Sequence, residues 1–266
     1  MKYLKLATLI CLLGLSGCAV KKNNAQSLNL TGLKILCYNI HHANPPSKPD
    51  VIDIDAIARV INNSKADLVA LQEVDKNTKR SGHIDEAKLL AEKTGMNYRF
   101  FKAIDHDGGE YGLAILSRYA LDEAKHLPLP QQTEAEKRIL AYVKVKAGGQ
   151  ELIFANTHLD ATRSHENRNL QMKYILDHFK DVTQPVILSG DLNSVAGSEA
   201  INLLDQQFKR TCIDNCPGTI PVINPKRTID FIATKNVKWP LLEYQVIDET
   251  YASDHRPIAV SFNISE

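Results

Sequence analysis

Several short stretches of this chain put carboxylates, amides and imidazoles where reacting groups could converge. They hold Asn39, Glu73, the triplet Asn156-Thr157-His158, Asp191 with Asn193, Asp230, and the triplet Ser253-Asp254-His255. Glu, Asp and Asn oxygens are hard ligands that suit magnesium, manganese or calcium rather than zinc. Magnesium uses one or two carboxylates and completes its shell with waters and phosphate oxygens. Two histidines beside such an ion can hydrogen-bond a phosphate and offset the charge that develops on it. That combination describes phosphoester hydrolysis. A single Asp or Asn is an ordinary turn former. What sets these apart is that they recur at the ends of apolar runs.

Those runs define the elements that must position them. Leu33–Ile40 alternates like a strand, and residues 67–71 form a continuous apolar strand that delivers Gln72 and Glu73 to its end. Ile54, Ile57, Ala58 and Ile61 make a helical stripe over Asp53–Asn63, and His83–Thr94 reads as a helix closed by Gly95. Short strands are expected around 98–104, 112–117, 120–127, 139–146 and 151–157. A long helix is expected over Ser164–Phe179 and a buried strand over Pro185–Leu188, with the last strands at 228–233, 242–247 and 256–263. No repeat, low-complexity tract or internal linker divides the chain. Helices alternating with buried and half-buried strands argue one layered α/β domain, with two packed sheets and helices outside.

Composition narrows the function classes. The 266 residues include 32 Lys plus Arg against 31 Asp plus Glu, so no global charge excess marks a nucleic-acid binder. Five cysteines are too few for a disulfide scaffold. Lys2 and Lys5 precede an apolar run, Leu6–Leu15, that is too short to span a bilayer and has the shape of a secretory signal. It ends in Leu15-Ser16-Gly17-Cys18, which resembles a bacterial lipobox, with Cys18 the lipidated residue. Residues 1–17 are therefore expected to be a lipoprotein signal, 18–31 an anchored flexible tether and 32–266 the globular domain, held outside the cytoplasm. The outer membrane is favoured over the inner. Cys37 reads as core. Cys212 and Cys216 could close a disulfide in an oxidising compartment, and no second ligand pair supports a zinc knuckle.

The motifs, taken together, resemble the endonuclease/exonuclease/phosphatase (DNase I-like) superfamily, which includes nucleases, sphingomyelinases and inositol 5-phosphatases. They are Tyr38-Asn39-Ile40, Leu71-Gln72-Glu73-Val74, Tyr111-Gly112-Leu113-Ala114-Ile115-Leu116-Ser117, Asn156-Thr157-His158-Leu159, Gly190-Asp191-Leu192-Asn193, Thr228-Ile229-Asp230-Phe231-Ile232 and Ser253-Asp254-His255-Arg256-Pro257. They run in the family's order across nearly the whole domain. The resemblance implies a four-layer α-β-β-α sandwich with the site across the top of two sheets. It implies that Glu73 is the principal metal ligand, with Asn39 and Asp254 completing the shell around Mg2+, or Mn2+ or Ca2+. It implies that Asp191 orients or deprotonates the attacking water and that Asn193 holds a phosphate oxygen. His255 contacts the phosphate with its tautomer set by Asp230, His158 is a phosphate contact or general acid, and Tyr111 lies near the phosphate. Departures from the usual pattern are Ala120, where many relatives have proline, and Leu113, at a position often small or amide-bearing; both concern substrate-side contacts.

Other nearby residues are weighed differently. Arg138 could bind phosphate, but pairing with Glu136 is favoured. His41 and His42 read as solvated loop residues and are left out of the site. Lys76, Lys79, Arg80 and Lys88 follow Glu73 and could border the cleft, but a solvated loop and helix face is favoured. Without the signal the chain is slightly acidic and shows no basic stripe, so a duplex track is not evident. The expected activity is hydrolysis of a small or lipid-derived phosphate ester by a monomer anchored to the membrane at Cys18. An extracytoplasmic nuclease is the alternative, and a non-catalytic binding lipoprotein a more distant one.

Overall fold

The computed structural model describes residues 32–264; the expected signal, Cys18 and the tether lie outside the described residues. The elements run β1 (Leu33–Asn39), a 3-10 turn (His41–Ala43), α1 (Ile54–Ser64), β2 (Leu68–Lys76), α2 (Glu86–Thr94), β3 (Asn97–His106), β4 (Gly109–Ser117) and β5 (Asp122–Pro128). They continue with β6 (Ile139–Ala147), β7 (Gln150–His158), α3 (Glu166–Phe179), β8 (Val186–Asp191), α4 (Glu199–Leu204), β9 (Lys209–Arg210), β10 (Asp230–Lys235), β11 (Leu241–Val246) and β12 (Ile258–Phe262). Two six-stranded sheets result, ordered β11-β12-β1-β2-β4-β3 and β5-β6-β7-β8-β10-β9.

Strand alternation explains the layers. Leu33, Ile35 and Cys37 of β1, with Leu68 and Ala70 of β2, face the second sheet, where they meet Phe154 and Ile187. The intervening Leu36, Tyr38, Val69 and Leu71 face outward onto α1 and α2. In the second sheet Ile153, Ala155, Val186 and Leu188 pack likewise beneath α3 and α4. Central strands are thus apolar on both faces, which is why β2 reads as an unbroken run rather than an alternating one. The expected α-β-β-α sandwich is the fold found.

Helix ends follow local chemistry. Asp53 caps α1 by accepting the Ala56 N–H. Asp85 accepts the Lys88 N–H, so α2 starts at Glu86 rather than at the expected His83, and it closes on left-handed Gly95. The short α4 and β9 were not expected from periodicity, because neither is long enough to show one. Cys212 and Cys216 are joined as a disulfide across a Cα separation of 5.8 Å, and Cys37 is a free, buried thiol. Among the described residues no helix is long and apolar enough to cross a membrane.

Gly190 holds β8 against β7. A Cβ at this position would lie 2.2 Å from the Thr157 carbonyl oxygen, and Thr157 and Gly190 are direct partners in the parallel pair. Gly190→Ala should therefore lower unfolding stability by about 1–3 kcal/mol and displace the neighbouring Asp191; chemical denaturation measures the first effect and loss of turnover the second.

Candidate active site

The strand order brings the candidate residues side by side. In the second sheet His158 pairs with Asp191 across β7 and β8, and Asp191 lies opposite Asp230 across β8 and β10. In the first sheet Asn39, the last residue of β1, pairs with Gln72 of β2. The β2–β4 register breaks between Leu71 and Val74, and Glu73 takes a left-handed φ of 56°. A bulge of this kind re-aims a side chain, and here it accompanies a Glu73 carboxylate that meets the Asn39 amide at the end of β1.

Asn39 joins the halves. Its amide donates to Glu73 Oε1 at 3.0 Å and to Asp191 Oδ2 at 3.1 Å, while its Oδ1 accepts the His41 N–H at 3.1 Å. Just beneath, buried Gln72 donates to Asn156 Oδ1 at 2.7 Å, and the Asn156 amide donates to the Leu71 and Ala114 carbonyls. Ser253 donates its hydroxyl to the Asn39 carbonyl at 2.7 Å, which ties the Asp254-His255 loop to β1.

Asp191 is the hub. It is 1% exposed. Its Oδ1 accepts the Asn193 N–H at 2.9 Å. Nε2 of His158 and of His255 stand 3.5 and 3.7 Å from its Oδ2, contacts of charge rather than hydrogen bonds. Burial, and then the Asp230 carboxylate, push Asp191 up to about 7, against the pull of His255 and of the bonds from Asn193 and Asn39. Burial opposes charge on His255, but Asp230, bonded to its Nδ1 at 2.9 Å, outweighs burial with help from Asp191 and Asp254 and raises this imidazole to about 10. The two histidines differ in kind: burial, the Arg138 cation and His255 hold His158 well below the usual histidine range. Arg138 has no acceptor, so its 2.9 Å contact with His158 Nδ1 makes that nitrogen the acceptor and leaves the proton on Nε2, facing Asp191.

The remaining candidates are placed as follows. Asn193 donates its side-chain amide to the Leu159 carbonyl at 3.0 Å, which leaves one amide N–H for another acceptor. Tyr111 is buried, and burial with the nearby Glu73 charge keeps its phenol protonated. Arg138 forms the expected pair with Glu136 at 3.0 Å as well as the contact to His158. Of the basic cluster, Arg80 lies against the site, forking onto buried Asp75 at 2.7 and 2.8 Å and lying 5.5 Å from the Tyr111 ring centroid. His41 and His42 are not simply solvated: their ligand atoms and one of Glu73 lie within 4.8 Å of one another. Sequence periodicity gave no hint of this, because the turn that presents them is left-handed at three successive residues, none of them glycine. Asn39 and Glu73, joined at 3.0 Å, offer oxygens suited to a hard divalent ion, and Ser253 ties the Asp254 loop to the Asn39 carbonyl. The chain's own charges support that fit. Glu73 meets no Lys or Arg at ion-pair distance among the described residues, and Asn39 Oδ1 keeps a second lone pair beyond the one given to His41.

Comparison with known proteins adds a lineage. The sequence profile of the Endonuclease/Exonuclease/phosphatase family matches residues 36–255. A Caenorhabditis elegans protein named 5'-tyrosyl-DNA phosphodiesterase is 26% identical over 184 residues, which cover 67% of this chain and 47% of that protein. The chain thus spans about half the length of this curated relative. A Bacteroides vulgatus endonuclease/exonuclease/phosphatase structure superposes with a TM-score of 0.72 at 19% identity, covering 89% of this chain and 100% of that one. A Bacteroides thetaiotaomicron mannosyl-6-phosphatase superposes with a TM-score of 0.69 at 18% identity, covering 86% and 99%.

The contact between Arg138 and His158 has a measurable consequence. In the native protein His158 should stay neutral across the ordinary histidine range, whereas Arg138→Leu removes the nearby cation and should move its titration upward. The imidazole Hε1 resonance followed against pH measures this; an unchanged titration would show that Arg138 does not set the state of the ring.

Proposed function

This chain belongs to the Endonuclease/Exonuclease/phosphatase family, and we propose that it is a divalent-metal-dependent phosphoesterase that acts on a small or lipid-derived phosphate ester at the cell envelope. The observation that carries this reading is the meeting, at one buried carboxylate, of a base and two unlike imidazoles. Asp191 lies between His255, cationic through Asp230, and His158, kept neutral by burial and by the Arg138 cation.

The roles follow from these states. Asp191, raised to about 7, is matched to receive a proton from water near neutral pH. His255 as a cation binds a phosphate oxygen and is the imidazole with a proton to give to the departing oxygen, while neutral His158 presents an Nε2–H that hydrogen-bonds the phosphate. The free amide N–H of Asn193 holds another phosphate oxygen, and Tyr111 closes the side of the cleft near Glu73. Glu73, Asn39 and Asp254 would hold Mg2+, with Mn2+ or Ca2+ as alternatives; when bound, the ion supplies neutralisation of charge on the phosphate and on the leaving group. The chain's own contribution is position and fixed charge, as expected of phosphoryl transfer.

A cavity of about 390 Å3 adjoins Asn193 and is lined by Arg163, His165, Arg168 and Arg227 without an acidic residue. Among the described residues, the side chains of Arg163 and Arg227 make no hydrogen bond or ion pair. Two unpaired guanidinium groups beside the phosphate position favour a compact substrate with a second anionic group. The nuclease alternative draws support from the relative named 5'-tyrosyl-DNA phosphodiesterase, but duplex binding needs a longer cationic track than this cavity provides. Residues 1–17 as a lipoprotein signal, Cys18 as the lipid anchor and 32–266 as the catalytic domain complete the proposal; the lipobox-like Leu15-Ser16-Gly17-Cys18 supports the anchor, and Ala19 after the cysteine favours the outer membrane over the inner.

The test is hydrolysis of p-nitrophenyl phosphate, bis-p-nitrophenyl phosphate, duplex DNA and sphingomyelin with each ion and with EDTA. Turnover should need the ion and fall about 10^2–10^4-fold in Asp191→Asn or His255→Ala. DNA as the preferred substrate would move the assignment to a nuclease, and no turnover of any ester by folded, metal-supplied protein would remove it. For a substrate with a second phosphate, Arg163→Ala or Arg227→Ala should raise KM about tenfold and leave KM for p-nitrophenyl phosphate unchanged.

A further inference from the structure

We propose that His41, His42 and Glu73 form a second divalent-cation site, of the imidazole–carboxylate type that takes zinc or cobalt, beside the oxygen-donor site of Asn39, Glu73 and Asp254. It rests on the proposed function only in sharing Glu73.

Five observations converge on it. The ligand atoms of the three side chains lie within 4.8 Å of one another, a spacing that a small movement closes around one ion. Nδ1 of His41 contacts the Asn44 carbonyl at 2.9 Å. Because a carbonyl only accepts, that nitrogen carries the proton and Nε2 keeps its lone pair, the arrangement usual for a metal-bound imidazole. Nδ1 of His42 is buried and has no hydrogen-bond partner among the described residues, so this ring too has an uncommitted nitrogen. Among the described residues Glu73 receives only the Asn39 amide, and Arg80 directs its fork to Asp75.

The backbone supplies the fifth. His41, His42 and Ala43 take φ values of 47°, 42° and 52°, a run of left-handed residues without a glycine. Strain of this kind is retained where the surroundings over-determine it, commonly at a functional site. Here it sets two adjacent imidazoles with ring centroids 4.5 Å apart, where an extended chain would send them to opposite sides. Two imidazoles and one carboxylate make a borderline-soft donor set that prefers zinc or cobalt to magnesium. The two sites would therefore sort ions by ligand type, with the Glu73 carboxylate bridging them.

The experiment titrates Co2+ into the full, chelator-stripped chain in excess Mg2+, reading visible d–d absorption, and counts Zn2+ retained by elemental analysis. One equivalent should bind despite the Mg2+, and Asp254→Asn should keep it. His41→Asn/His42→Asn, in residues that tolerate the left-handed region, should weaken it about 100-fold or more. Unfolding curves establish that the variants fold. In the wild-type chain, with no variant involved, Zn2+ should shift the imidazole 15N resonances of both His41 and His42. Unchanged Co2+ affinity in the double variant, or unshifted resonances, would overturn the second site. Failure of the proposed function would register separately, as absence of Mg2+-dependent ester turnover with the Co2+ spectrum intact.

Discussion

The site is divided between two sheets, so everything depends on holding those sheets in register at their upper ends. The buried amide pair Gln72 and Asn156 does this. Gln72 donates across the sheet interface to Asn156 at 2.7 Å, and Asn156 returns both of its N–H groups to carbonyls of β2 and β4. Amides buried this deeply are tolerated only when their partners are in place, so a shift of one sheet against the other leaves unpaired polar groups. The apolar core between the sheets is nearly non-directional by comparison. Directional bonds near the site give it a single alignment.

From that alignment the electrostatics follow. Asn39 can bridge Glu73 and Asp191 only because β1 and β8 face each other at this height. Asp191 sits where burial and Asp230 both raise its proton affinity, and His255 is kept charged by the same Asp230. His158 is kept neutral by burial and by a guanidinium on its far nitrogen. One carboxylate thus faces two imidazoles in opposite protonation states, a cation that can bind and protonate an anion and a neutral ring that can only hydrogen-bond it.

Much of this was legible in the sequence. Apolar runs that end in Asn39, Glu73, His158 and Asp191 locate the strands, and the ordered motifs imply the sandwich that the chain adopts. Helix boundaries were off by a few residues where a cap decides them, as at Asp85. Three features were hidden for physical reasons. The left-handed turn at His41–Ala43 carries no glycine to announce it, so its histidines looked like ordinary loop residues. The bulge at Glu73 depends on β2–β4 pairing, which has no local signal. Arg138 had two readings, and only the three-dimensional contact showed a third function, fixing the proton of His158.

The central claim is that water attacks phosphorus. Turnover of the preferred ester in 18O-enriched water, with mass analysis of both products, tests it most directly. The account predicts one 18O in the phosphate product and none in the released alcohol. Label in the alcohol would mean that the carbon–oxygen bond breaks instead, and the roles given to Asp191, His158 and His255 would fall with it.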